Sequence, residues 1–457
     1  MKNILEGFNS KDFLRTCTKI NPHMKNLKLA LVALACGSIF TASAQDLSSI
    51  TQDKATRIVS TLSADDMAGR ASFTPGIEKA AQFIQSEFQR IGLQPVPGED
   101  DLLQTFAMYR VKPEEKEAKI NGQKVQPGDM FAITDKKELE WKQKGKQKVV
   151  SIGENDDFRA ALGELNKEQQ DVLVLVHPKH EEIFRRYQHY MGEGSVKQQL
   201  DDNSSSKVFV LTAQENAKKY KLEVENKIEK LQLTNVAGMI EGKRKNEYVV
   251  FSGHYDHIGI QKAVDGDSIA NGADDDAAGT TAMMLLADYY KQQPQPERSL
   301  IFVAFAAEEI GGFGSKYFSQ QLNPDEIVAM FNIEMVGKPS KFGPNSAYLT
   351  GFERSDLGTL MQKRLESTTY SIHPDPYPEQ NLFYRSDNAT LARLGVPAHT
   401  ISSVQIDQDK TYHTVNDELE QLDMAHLTNM IKAIALASQG VVNGEDTPTR
   451  VDKSQVR

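Results

Sequence analysis

The spacing of apolar residues changes along this chain, and each change predicts a different element. Over 75–92, PGIEKAAQFIQSEFQRIG, the apolar positions Ile77, Ala80, Ala81, Ile84, Phe88 and Ile91 recur at helical spacing. Pro75 opens the stretch and Gly92 closes it, as expected of helix ends. Further on the apolar residues form short unbroken runs: YVVFSG (248–253), SLIFVAFA (299–306), VAMFNIEMVG (328–337) and VPAHTIS (396–402). Such runs read as strands buried on both faces. Helical stretches over 277–290 and 423–441 alternate with them. The alternation predicts an α/β fold: a doubly wound, mostly parallel sheet with helices on both faces. In sheets of this kind ligands bind beyond the carboxyl ends of the strands.

Between 107 and 232 the texture differs. Lys, Glu and Gln dominate, and the strand-like pieces VLVLVH (172–177) and KVFVLT (207–212) are set apart by charged segments and the run DDNSSS. This predicts an inserted, smaller α+β domain. The expected organisation is an upstream extension and signal peptide (1–44), an N-terminal part of the main domain (45–106), the insertion (107–232), the rest of the main domain (233–442) and a polar tail (443–457).

The signal peptide is read from Met24 onward, MKNLKLALVALACGSIFTASA. Lys25 and Lys28 precede a short apolar stretch, and Ala42-Ser43-Ala44 fits a cleavage site before Gln45. The apolar stretch is too short to span a membrane. Met24 is the better start. The expectation is export, to a periplasm or outside the cell. The lipoprotein alternative would use Cys36, but Ala33 stands three positions upstream where leucine is expected. Both cysteines, Cys17 and Cys36, lie in this segment. The mature chain would have none, so any metal would be held by His, Asp or Glu. The formal charge of −10 over 457 residues argues against a nucleic-acid binder, which usually shows a basic face.

Acids and histidines gather where the predicted strands end. His254-Tyr255-Asp256-His257 follows the first run, and Glu308-Glu309 follows FVAFAA. The third run carries Glu334, and Tyr412-His413 lies in a late loop. Asp274, Asp275 and Asp276 stand together before a helix. Acids there can cap the helix, but three in a row, with Glu308 and Glu309 in an apolar setting, call for a cation. Imidazoles with several carboxylates suit zinc. One catalytic zinc takes three protein ligands, while a pair about 3.5–4 Å apart needs a bridging carboxylate. Asp275 can bridge, with His254, Glu309, Glu334 and His413 as terminal ligands. Glu308 remains as a general base for metal-bound water. Asp256 can accept the other ring N–H of His254, and Tyr412 can donate to an oxyanion. Asp274 and Asp276 are assigned to capping or support.

GHYDHIG, NGADDDAAG, AEEIGGFGS, NIEMVG and YHTVNDE, in that order, resemble the co-catalytic zinc aminopeptidases of metallopeptidase family twenty-eight, including exported bacterial leucyl-type enzymes. MAGRASFTPGIEKAAQFI resembles the family's leading segment more weakly. The resemblance implies two zinc ions and the release of N-terminal residues from peptides that carry a free amino end. It implies that His254 and Glu334 bind one zinc, Glu309 and His413 the other, and Asp275 both. Two positions depart from the family pattern: Glu334 stands where Asp is frequent, and Asn388 where His is frequent.

Other motifs carry bland readings. HEEIF (180–184) lacks the second histidine of HExxH, so His177, His180 and His189 read as surface residues. Asp265 and Asp267 lack the rest of a calcium loop. Trp141 reads as local packing. Rival functions are a glutaminyl cyclase-like single-zinc enzyme, a carboxypeptidase or dipeptidase, and a noncatalytic peptide binder. A complete two-metal set and a retained base argue against the first and the last.

Overall fold

In the computed structural model, residues 46–142, 146–192 and 194–457 are described. The signal segment, Cys17 and Cys36 lie outside them. Helix α1 spans Gln52–Leu62 and α2 spans Pro75–Ile91. Gly92 ends α2 at φ 80°, a left-handed conformation that costs glycine little. Strand β1 (Leu103–Ile120) leads to β2 (Met130–Ile133), β3 (Lys148–Ile152), helix α3 (Phe158–Lys167), β4 (Val172–Val176), helix α4 (Glu181–Gly192) and β5 (Lys207–Leu211). Strand β6 (Tyr220–Ile240) returns to β7 (Arg244–His254), helix α5 (Gly279–Lys291), β8 (Arg298–Phe305) and β9 (Ile327–Ile333). Strands β10 (Ser346–Leu349), β11 (Ser371–Pro374) and β12 (Ala398–Ser402) precede helix α6 (Met424–Ala437).

The main sheet is ordered β11-β10-β12-β9-β7-β8-β6-β1. Its centre, β12-β9-β7-β8, is parallel, and antiparallel pairing enters at β10, β6 and β1. The alternation within β7 shows why its run of apolar residues is unbroken. Val249 and Phe251 enter one core, with α1, α2, α5 and α6, while Tyr248 and Val250 enter a second core on the other face. Both faces are covered, so Tyr248–Phe251 are all apolar, and the one hydroxyl that follows, Ser252, is satisfied by Asn332 on β9. The end of the strand is where the histidine stands.

Residues 130–211 build a second, four-stranded sheet ordered β2-β5-β4-β3, with apolar clusters of its own. Strand β1 pairs with β6 from end to end, Leu103 with Val236 through Ile120 with Tyr220, with one register shift between Pro113 and Glu115. They therefore pass unbroken through the boundaries expected at 107 and 232. Trp141 is buried in one of the clusters beside the second sheet. Asp265 and Gly266 form the left-handed turn of a hairpin between Gly259–Val264 and Asp267–Ala270. His180 lies just before α4, its Nε2 2.7 Å from the Gly153 carbonyl. The 443–457 segment is docked on the main domain: Arg450 donates to the Ile327 carbonyl, and Val451 is buried. Among the described residues no helix is long and apolar enough to cross a membrane.

Candidate metal centre

Three neighbouring parallel strands deliver their ends to one crevice. β7 ends in His254, β9 stops one residue before Glu334, and β8 stops three residues before Glu308. The turn Ala273–Ala278 before α5 supplies the aspartates, and the loop before α6 supplies Tyr412 and His413. Ala307, Met335 and His413 take positive φ values of 61°, 52° and 57°. Such conformations cost non-glycine residues about 1–3 kcal/mol each and gather at functional sites.

Asp275 is the centre of the arrangement. Its Oδ1 lies 3.2 Å from His254 Nε2, and its Oδ2 lies 3.2 Å from His413 Nε2. His413 Nε2 is also 3.0 Å from Glu309 Oε2. Two groups have ligand atoms all within 4.8 Å of one another: His254, Asp275 and Glu334, and His257, Asp275 and Glu309. The five expected ligands are thus brought together, and His257 joins them. Its Nδ1 is 2.8 Å from Glu309 Oε1 and 3.8 Å from Asp275 Oδ2. The sequence motifs assign His257 no role, because it is the third residue beyond a strand-end histidine, where strand periodicity no longer says which way a side chain points.

The neighbouring acids hold this geometry. Asp276 accepts from the backbone N–H groups of His254, Gly279 and Met335, tying β7, α5 and the end of β9 together. Asp274 accepts from Gly337 N. Asp417 accepts from the N–H groups of Asp274 and Asp275 and so fixes the central residue. Asp256 differs from expectation. The ring nitrogen Nδ1 of His254 lies 3.2 Å from the Asp256 carbonyl oxygen, while the carboxylate stands 3.8 Å away. That carboxylate instead accepts from the backbone N–H groups of Glu308 and Glu309. It positions the backbone of Glu308 and Glu309, not the imidazole. Arg70, a residue the motifs passed over, is fully buried and donates to the carbonyls of Leu62, Tyr255, Asn271 and Gly272. It pins both loops that carry the site. Asn388 is a buried amide: it donates to the Phe383 and Ala398 carbonyls and accepts from Thr400.

The electrostatics ask for positive charge. Burial alone would lower the His413 imidazole, but Asp275 and Glu309 raise it to about 10. Burial lifts Glu334 to about 7, against the pull of His254. Burial also holds the Glu308 carboxyl well above the usual carboxylate range, opposed by His254 and reinforced by Glu334. Three buried atoms of these residues have no hydrogen-bond partner: His254 Nε2, His257 Nε2 and Glu334 Oε2. Orphaned imidazole and carboxylate atoms around a shared aspartate are what a divalent cation would satisfy, and this donor set fits zinc.

Residues 235–438 match the model of Peptidase family M28. A probable zinc metalloprotease of Pyrenophora teres f. teres (strain 0-1) is 26% identical over 252 residues, 51% of this chain and 54% of that protein. Leucine aminopeptidase 1 of Penicillium rubens is 28% identical over 214 residues, 43% of this chain and 53% of that protein. The chain therefore spans about half the length of these curated relatives. Among solved structures, a zinc aminopeptidase from Bacillus subtilis aligns with a TM-score of 0.51 at 17% identity, over 87% of this chain and 97% of that one. An aminopeptidase from Aneurinibacillus sp. strain AM-1 aligns with a TM-score of 0.50 at 19% identity, over 90% and 97%. These likenesses show a common fold. With strand ends, aspartate turn and late loop all inside the matched residues, this chain carries a Peptidase family M28 domain.

Proposed function

We propose that this chain is an exported aminopeptidase that uses two zinc ions to release N-terminal residues from peptides. The observation that carries the reading is Asp275, whose two carboxylate oxygens each face a different histidine at 3.2 Å. His254 and Glu334 would hold one zinc, Glu309 and His413 the other, with His257 beside the second and Asp275 shared. Bound zinc supplies a Lewis acid for the scissile carbonyl and lowers the pKa of water.

The chain's own residues do the rest. Glu308 is the proton carrier: it takes a proton as water attacks and returns it to the leaving amine. Burial holds its carboxyl well above the usual carboxylate range, which favours proton uptake. The Asp256 carboxylate holds the backbone of Glu308 in place. Tyr412, stacked on His413 with ring centroids 4.0 Å apart, donates a hydrogen bond from its hydroxyl to the developing oxyanion. The basic and apolar stretch at 24–44 supports export.

The test compares one unblocked peptide series with the same peptides N-acetylated, using zinc-loaded protein. Stepwise cleavage of the unblocked set alone, from the amino end, is expected. Failure to cleave either set with zinc bound would overturn the reading.

A further inference from the structure

Beside Glu334 a cleft opens between the β9 end and the loops around 382–386 and 404–412. Met335 and Val404 give it apolar walls. The hydroxyl groups on its floor are already spent within the fold. Thr400 Oγ1 donates to Asn388 Oδ1, and Ser402 Oγ donates to the Met335 carbonyl. One lining group differs. Arg385 is exposed at the cleft, and its guanidinium donates only long bonds to neutral oxygens, Gln380 Oε1 at 3.4 Å and Tyr412 Oη at 3.3 Å. Among the described residues no carboxylate is paired with it. Elsewhere the fold does supply such partners: Arg57 has Glu87, Arg298 has Glu247 and Arg364 has Asp446.

A guanidinium is a planar fork that binds a carboxylate through two parallel bonds. Its contact with Tyr412, next to His413, places this fork one side chain from the candidate metal centre. We propose that Arg385 reads a substrate carboxylate, so that the favoured peptides carry one close to the bond that is cut. Two sources share this chemistry: an acidic side chain on the released residue, and the terminal carboxylate of a short peptide. The inference rests on the peptidase reading above.

The test uses zinc-loaded protein and two matched pairs, Leu-Gly against Leu-Gly-amide and Glu-Gly-amide against Gln-Gly-amide. One charged member should be favoured by about 10- to 100-fold in kcat/KM, mostly through KM, the scale of a charge-assisted hydrogen bond. The first pair reports a terminal carboxylate and the second a side chain. Arg385→Gln should erase the gap with zinc content unchanged, and Arg385→Lys should keep part of it. No gap in either pair, or a gap that survives Arg385→Gln, overturns the proposal. Calorimetric binding of the same peptides to Glu308→Gln separates the two readings. A carboxylate preference in binding, with no turnover by the unsubstituted protein, keeps Arg385 and removes the peptidase. Cleavage of every peptide without preference does the reverse.

Discussion

His257 has one ring nitrogen committed and the other not. Nδ1 meets Glu309, and Nε2 is buried without a partner. In the proposed two-zinc site a histidine so placed would ligate the second metal or hold Glu309 for it, and loss of such support costs about 10- to 100-fold in metal affinity. His257→Ala should weaken zinc binding by that factor in a competition titration; unchanged affinity would remove His257 from the centre. Glu308→Gln is the contrasting substitution. It keeps the shape of the side chain and removes the proton carrier. Rate should fall by about 10²- to 10⁴-fold with metal content unchanged, and near-normal turnover would exclude the role. The two residues also differ in how visible they are. Glu308 stands next to Glu309 after an apolar strand, where chemistry alone questions two carboxylates. His257 is informative only once Glu309, 52 residues on, is folded against it.

At the scale of elements, the strands behind the site share an aromatic ladder. Phe251 on β7 lies in register with Phe302 on β8 and Phe331 on β9, its ring stacked at 5.4 and 5.2 Å from theirs. Each strand of the ladder runs on into a site residue, so the ladder fixes the relative heights of His254 and the Glu308 and Glu334 loops. Phe251→Ala should cost about 3–5 kcal/mol of stability, the usual price of truncating a buried aromatic. Chemical denaturation measures this, and a loss under about 1 kcal/mol would show that the strands do not depend on the ladder. The parallel strands and α2 were legible because their periodicity is set by burial. The long ribbon of β1 and β6 was not. Its residues alternate with solvent-facing Lys and Glu, and only the partner strand shows that the main sheet continues through 107 and 232.

For the whole molecule, the crowding of Asp275, Glu308, Glu309 and Glu334 in one crevice makes folding and metal binding a linked event. A ligand that binds only the native state stabilises it by about 2.7 kcal/mol at a free concentration one hundred times its Kd. Chelation should therefore lower the calorimetric Tm by a few degrees, and added zinc should restore it; an unmoved Tm would mean that the folded cluster holds no metal. Residue chemistry and spacing alone determined the α/β class, the helix over 75–91 and which acids and histidines stand at the strand ends, because apolar periodicity and charged residues after apolar runs are local facts. Only the tertiary structure decided what lies across sequence distance. It gave the His254 ring nitrogen to the carbonyl of Asp256, used that carboxylate to hold Glu308, brought in Arg70 and His257, and left Arg385 with no paired carboxylate among the described residues. Hydrogen bonds and ion pairs between distant segments depend on packing, and packing leaves no period in the sequence.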